Sequence, residues 1–127
     1  MSQGGPMTPG EEFVRALVAK DAQGLKELLS PGIDFKALTP GRFWESDSVD
    51  EIVDETLLGA WFEPSDEIEA VESVETSKVG DRHRVAYRLR VRNAGGRFIV
   101  EQQAYYDVAG DTISWLRILC AGYQPVT

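Results

Sequence analysis

The hydrophobic period of this chain changes at Pro64, from the spacing of a helix to that of a strand. Before it, apolar residues recur at helical intervals: Phe13, Val14, Leu17 and Val18, then Leu25, Leu28 and Leu29, then Val49, Ile52, Val53, Leu57 and Trp61. After it come four alternating runs, at about 67–77, 82–92, 97–107 and 112–121, joined by VGD, NAGG and VAGD. Connections that short and glycine-bearing make hairpins. The four runs therefore read as consecutive antiparallel strands, and the chain as α+β, with helices packed against one sheet.

The helix ends are written in the sequence as well. Thr8 is placed as an N-cap, Pro9 takes the first helical position, and Glu11 completes a capping box. Asp21 caps a second short helix, which the SPG of residues 30–32 ends. IDFKALTPGRFWE, residues 33–45, suits a short strand followed by a loop broken at Pro40 and Gly41. Ser48 and Glu51 form a second capping box for the third helix. Its Val49, Ile52, Val53, Thr56, Leu57, Ala60 and Trp61 share one face, opposite Asp50, Glu51, Asp54 and Glu55. Residues 1–7 have no apolar periodicity and are expected to be a flexible tail, leaving 8–125 as a single domain.

A chain of 127 residues supports one hydrophobic core. Its net charge of −8 disfavours nucleic acid and anionic membranes, both polyanions. No apolar run approaches the roughly 18 residues of a membrane span, and the N-terminus lacks a signal peptide's basic and apolar regions. With Cys120 the sole cysteine, no intrachain disulfide forms, and a cytoplasmic location is expected. There is no His/Cys grouping with metal-ligand spacing and no glycine-rich phosphate loop, so neither a metal nor a cofactor is expected.

The charges are segregated. Between Phe43 and Ser77 stand twelve acids and no Lys or Arg; between Lys78 and Arg97 stand seven bases and one acid, Asp81. Glu67, Glu69, Glu72 and Glu75 would face Arg84, Arg88, Arg90 and Arg92 across a hairpin. A Glu–Arg ladder on an outer sheet face is the expectation, in preference to an anion site at Arg84, Arg88 and Arg90.

FVRALVAKDAQGLKELLSPGIDF, from Phe13, and YYDVAGDTISWLRIL, from Tyr105, resemble the opening helical pair and last hairpin of the nuclear-transport-factor-2-like superfamily. The resemblance spans about Thr8 to Pro125. It implies helices wrapped in a strongly curved antiparallel sheet, a cystatin-like cone-shaped α+β barrel. The mouth of such a cone often holds a small apolar ligand, and the outer sheet face often forms a homodimer. The superfamily includes SnoaL-like cyclases, ketosteroid isomerases, dehydratases and epoxide hydrolases beside non-enzymatic binding modules, so fold alone does not assign a chemistry. By the resemblance, Phe13 stands where the isomerases have a tyrosine and Ala37 or Leu38 stands near the base. Gln103 replaces the proton-donating Asp, so ordinary ketosteroid isomerisation is not expected. The dehydratases use paired histidines, and His83 is alone.

Two functional expectations follow. One is a domain that binds a small apolar or aromatic molecule as a homodimer. The other is an isomerase-, cyclase- or dehydratase-like enzyme acting on a carbonyl compound, with Glu101 as catalytic group and Gln103 and Tyr105 as hydrogen-bonding partners. If the last hairpin behaves as in the isomerases, Glu101, Gln103 and Tyr105 point into the cone with Leu116, Ile118 and Cys120. Tyr87 reaches the same interior, and Trp44 and Trp61 flank the mouth. VEQQAYYDV, residues 100–108, leaves a second parity open, in which Phe98, Val100, Ala104, Tyr106 and Val108 line the interior and Gln102 and Tyr106 are its polar groups. In bland terms, Glu101 is exposed or paired with an arginine, Trp61 is core, His83 sits at a rim, and Cys120 is a structural thiol. Trp115, on the parity opposite Leu116, is a candidate dimer anchor.

Overall fold

The computed structural model describes residues 7–126, so most of the expected tail lies outside the described residues. α1 (Pro9–Val18), α2 (Ala22–Leu28) and a π-helix (Glu51–Trp61) pack on a six-stranded sheet. Its strands are β1 (Leu29–Thr39), β2 (Arg42–Ser46), β3 (Glu67–Val79), β4 (Arg82–Asn93), β5 (Gly96–Ala109) and β6 (Thr112–Pro125). The order is β2-β1-β6-β5-β4-β3. The four strands after Pro64 form the expected meander, with Gly80 and Gly110 at φ +62° and +64° opening two of its two-residue turns.

Three expectations are corrected. The sheet is mixed, because β1 runs parallel to β6, and it is curved but unclosed, with β2 and β3 as free edges. α2 passes straight into β1 without a loop. Ser30, Pro31 and Gly32 consequently lie within β1, where pairing to β6 is irregular between Leu29 and Asp34. The irregularity accommodates a proline that has no N–H to donate. Pro40 and Gly41 are a hairpin turn, since β2 pairs back on β1 from Phe35↔Ser46 to Thr39↔Arg42.

The third helix stands where the periodicity placed it but winds as a π-helix. Ile52, Val53, Thr56, Leu57 and Trp61 are buried, whereas the wider winding carries Ala60 off the packed face. A Cβ on Gly59 would lie 2.6 Å from the Asp54 carbonyl oxygen, so the winding depends on glycine there. Of the second capping box one half forms: Ser48 Oγ accepts from Glu51 N at 3.2 Å. The first box is complete. Thr8 Oγ1 accepts from Glu11 N at 3.1 Å, and Glu11 Oε1 accepts from Thr8 N at 2.9 Å.

The faces of the sheet settle the strand parity. Val85, Tyr87, Leu89 and Val91 of β4, Val100, Gln102, Ala104 and Tyr106 of β5, and Ile113, Leu116 and Ile118 of β6 are buried beneath the helices. Directly paired residues share a face. Leu116 and Ile118 pair with Tyr106 and Ala104, which sends Glu101, Gln103 and Tyr105 outward, opposite Arg88, Ala86 and Arg84. The expectation that those three point inward is therefore corrected. The outward row also keeps the Glu101 carboxylate in water, avoiding the cost of burying a charge.

The outer face carries the expected ladder. Arg88 lies 3.1 Å from Glu72 and 3.5 Å from Glu101, Arg92 lies 2.7 Å from Glu67, Arg97 lies 3.3 Å from Glu69, and Arg90 also holds Glu72. Hydrogen bonding from Arg90 holds the Glu72 carboxyl below its usual range. Glu69 and Glu72 are the residues skipped where β3 breaks register with β4, and these bulges explain their uneven spacing. Arg84 departs from the ladder: its partners are Gln103 and Ser77.

Candidate functional site

The sequence-designated residues divide between the two faces. Tyr87, Trp61, Leu116 and Ile118 are buried on the helix side; Trp44 and Cys120 are half-buried there. Glu101 and Gln103 are exposed on the outer face, and Tyr105 beside them is half-buried, with its hydroxyl 3.4 Å from Gln103 Oε1. A hollow of about 420 Å³ is nonetheless lined by Glu101 and Gln103 together with Tyr87, Gln102 and Cys120. His83 is half-buried and stacks on Tyr106, ring centroids 5.1 Å apart. Trp115 lies outward beneath two cations, Arg82 at 3.6 Å and Arg117 at 4.2 Å from its ring centroid.

Inside the sheet the polar groups are mutually satisfied. Tyr87 Oη donates to Gln102 Oε1 at 2.6 Å, and Cys120 pairs with Gln102 across β5 and β6. Burial pushes the Tyr87 phenol well above its ordinary value, with Cys120 adding to the effect. Further along β6, Tyr123 Oη lies 2.7 Å from Trp61 O and 2.9 Å from Asp66 Oδ2. Having one proton, it donates to one of them at a time. Burial, then the contact with Asp66, pushes Tyr123 up in the same direction.

The aromatic corner is different. Trp44 and Trp61 meet edge to face at 6.0 Å, and Phe35 lies 6.3 Å from Trp61. β1 and β2 set Trp44 opposite Ala37. Trp44 Nε1 donates to Thr39 Oγ1 at 2.8 Å. Trp61 is 7% exposed, yet its Nε1 finds no acceptor among the described residues. A buried donor left unpaired is costly and uncommon.

A hollow of about 470 Å³ opens beside Trp44, between β2 and the π-helix, and is lined by Arg42, Trp44, Glu51, Glu55, Thr56 and Ala60 among others. Thr56, 6% exposed as a residue, turns its side chain to this hollow. Arg42 lies flat on Trp44, its Cζ 3.6 Å from the ring centroid. The half-buried Trp44 indole gives the hollow an aromatic wall, and Arg42, Glu51, Glu55 and Thr56 give it polar groups. Arg42, Glu51 and Glu55 were not singled out from the sequence. The signal for Arg42 was available, since a residue two before Trp44 on a strand shares its face.

No protein-family model matches the sequence, and no curated protein matches it. Solved structures match it over most of its length. An NTF2-like protein of unknown function from Cytophaga hutchinsonii is 14% identical, with a TM-score of 0.53 over 97% of this chain and 96% of its own. The fold is that of the nuclear-transport-factor-2-like superfamily. Within that fold, an LEH-like epoxide hydrolase from M. tuberculosis is 14% identical, with a TM-score of 0.64 over 88% of this chain and 79% of its own. A candidate SnoaL-like polyketide cyclase from Mesorhizobium loti is 18% identical, with a TM-score of 0.63 over 87% of this chain and 94% of its own. At these identities the nuclear-transport-factor-2-like likeness is one of architecture. Among the described residues no helix is long and apolar enough to cross a membrane.

Proposed function

We propose that this chain is a binding domain for a small, largely apolar or aromatic molecule. The ligand sits in the hollow between β2 and the π-helix, against Trp44. The observation that carries this is the hollow itself, in which the half-buried indole of Trp44 and the side chain of Thr56 line one opening. A bound molecule with one hydrogen-bonding group would pair with the Thr56 hydroxyl and cover the indole at once. A thermal-shift screen of small ketones, phenols and polyketide-like aromatics tests the proposal. A ligand at a hundred times Kd should stabilise the native state by about 2.7 kcal/mol. Trp44→Ala and Thr56→Val should blunt the shift, while Glu101→Gln, on the outer face, should leave it intact. Hits that respond to Glu101 and not to Trp44 would move the site to the outer face and revive the enzymatic alternative.

The same reading includes a homodimer through the outer sheet face. Phe43, Leu38 and Leu119 stand in direct cross-strand register on β2, β1 and β6, and are 53%, 50% and 48% exposed. Gln103, Ala86 and Glu75 continue the row across β5, β4 and β3. An apolar row ending in polar residues suits an isologous contact with a second copy. Sedimentation should show a dimer that Leu119→Asp converts to monomer. A parent chain that stays monomeric at high micromolar concentration would overturn this part of the proposal.

A further inference from the structure

We infer that the hollow beside Trp44 selects an organic cation, a small molecule carrying an ammonium or quaternary ammonium group, and that Arg42 is its built-in competitor. The inference rests on the hollow being the ligand site and names the chemistry of what enters it. The Trp44 face already serves a cation, with Arg42 Cζ at 3.6 Å from the ring centroid, well inside the range of a cation–π contact. Arg42 itself has no carboxylate within ion-pairing distance among the described residues, so the indole is what holds the guanidinium. Glu51 and Glu55 line the same hollow from the π-helix, again without a basic partner among the described residues. The helix's other acids are engaged elsewhere: Lys26 lies 3.3 Å from Asp50 and 2.8 Å from Asp54. Thr56, in the same lining, offers a neutral hydrogen-bonding group.

The charges of the hollow therefore favour a cation over a neutral ligand of the same shape. Arg42 is exposed at the start of β2, beside the Pro40–Gly41 turn, on a long flexible stem. Its head group can return to water when a ligand takes the indole face, while Glu51 and Glu55 stay without a basic partner among the described residues. The ligand cation then stands where the guanidinium stood, its apolar groups on Trp44 and its charge near the two carboxylates.

Choline and its uncharged carbon isostere, 3,3-dimethylbutan-1-ol, are the probes, titrated by calorimetry into the full chain and its variants. Choline should bind more tightly than the isostere by on the order of tenfold. Arg42→Ala should tighten choline severalfold and the isostere by less, because both gain the indole face and only choline also loses a like charge. Glu51→Gln and Glu55→Gln should each weaken choline, and added salt should narrow the gap between the two probes. Equal affinity for the two probes, no choline binding, or an Arg42→Ala variant that binds choline no better would overturn the inference. If neutral hits from the thermal screen depend on Trp44 while choline does not bind, the cation assignment fails and the ligand site stands. If neither class responds to Trp44, both fail.

Discussion

Asp66→Ala is expected to lower the unfolding free energy by about 3 kcal/mol, measured by urea denaturation at neutral pH. Asp66 is buried at the junction that follows the π-helix, and it ties three elements together. Its Oδ1 accepts from Asn93 Nδ2 of β4 at 2.8 Å; its Oδ2 accepts from Glu63 N at 3.2 Å and lies 2.9 Å from Tyr123 Oη of β6. Alanine deletes the acceptor and takes away the partner of the Asn93 amide and of the Glu63 N–H. Tyr123 is the least affected, because Trp61 O remains within reach. Asp66→Asn keeps one oxygen and should recover roughly half of the loss. The pH profile adds a second readout. Tyr87 and Tyr123 both hold their protons above the ordinary tyrosine value. A folded pKa above the unfolded one means that their contribution is complete below about pH 10 and is lost as pH rises further. Asp66 is one cause of the Tyr123 shift, so the alanine variant should lose less additional stability above about pH 10 than the parent does. A neutral-pH loss under about 1 kcal/mol would show that water satisfies these donors and that the junction is not held by Asp66.

The local part of this fold was legible because it depends on neighbours in sequence. Thr8 and Glu11 cap α1 as written, the Gly80 and Gly110 turns close where expected, and the Glu–Arg ladder forms on the outer face. What failed depends on pairing at long range. The row Glu101, Gln103 and Tyr105 is polar enough to suit a site, and only its register against Arg88, Ala86 and Arg84 shows that it faces out. A slip of one residue exchanges the faces of a strand, so alternation alone cannot decide between them. β6 is harder still, because its register with β5 shifts near Ser114 and again near Gly122, and Tyr123 joins Cys120 on the inner side only through the second shift. The candidate site was half legible. Trp44 and Trp61 were placed at the mouth through the resemblance, but Thr56 looked like one more residue on a helix face. Its importance appears only when β2 folds back on β1 and leaves the hollow beside it.

Gly10→Ala is expected to destabilise the protein by about 2 kcal/mol, against the sign that helix propensity alone would give. Alanine in place of glycine in an ordinary helix gains up to about 1 kcal/mol. Here a Cβ would stand 2.8 Å from Tyr106 Oη, 2.9 Å from Tyr106 Cε1 and 2.9 Å from Val85 Cβ. Those neighbours cannot retreat easily: Val85 and Tyr106 are buried, and the Tyr106 ring is stacked against His83 on its other side. The close approach exists because Tyr106 Oη accepts from Gly10 N at 2.9 Å, pairing one of the amides that the first turn of α1 leaves without an intrahelical partner. Alanine therefore pushes α1 off β5 and weakens that hydrogen bond in the same movement. Tyr106→Phe removes the hydroxyl, losing the bond but also the nearest clash, and should cost about 1 kcal/mol alone. The two changes share one contact, so together they should cost less than the sum of their separate losses, and a double-mutant cycle in urea measures the difference. Strict additivity, or a Gly10→Ala variant as stable as the parent, would mean that α1 rides freely over the sheet at this point and that Tyr106 does not hold it.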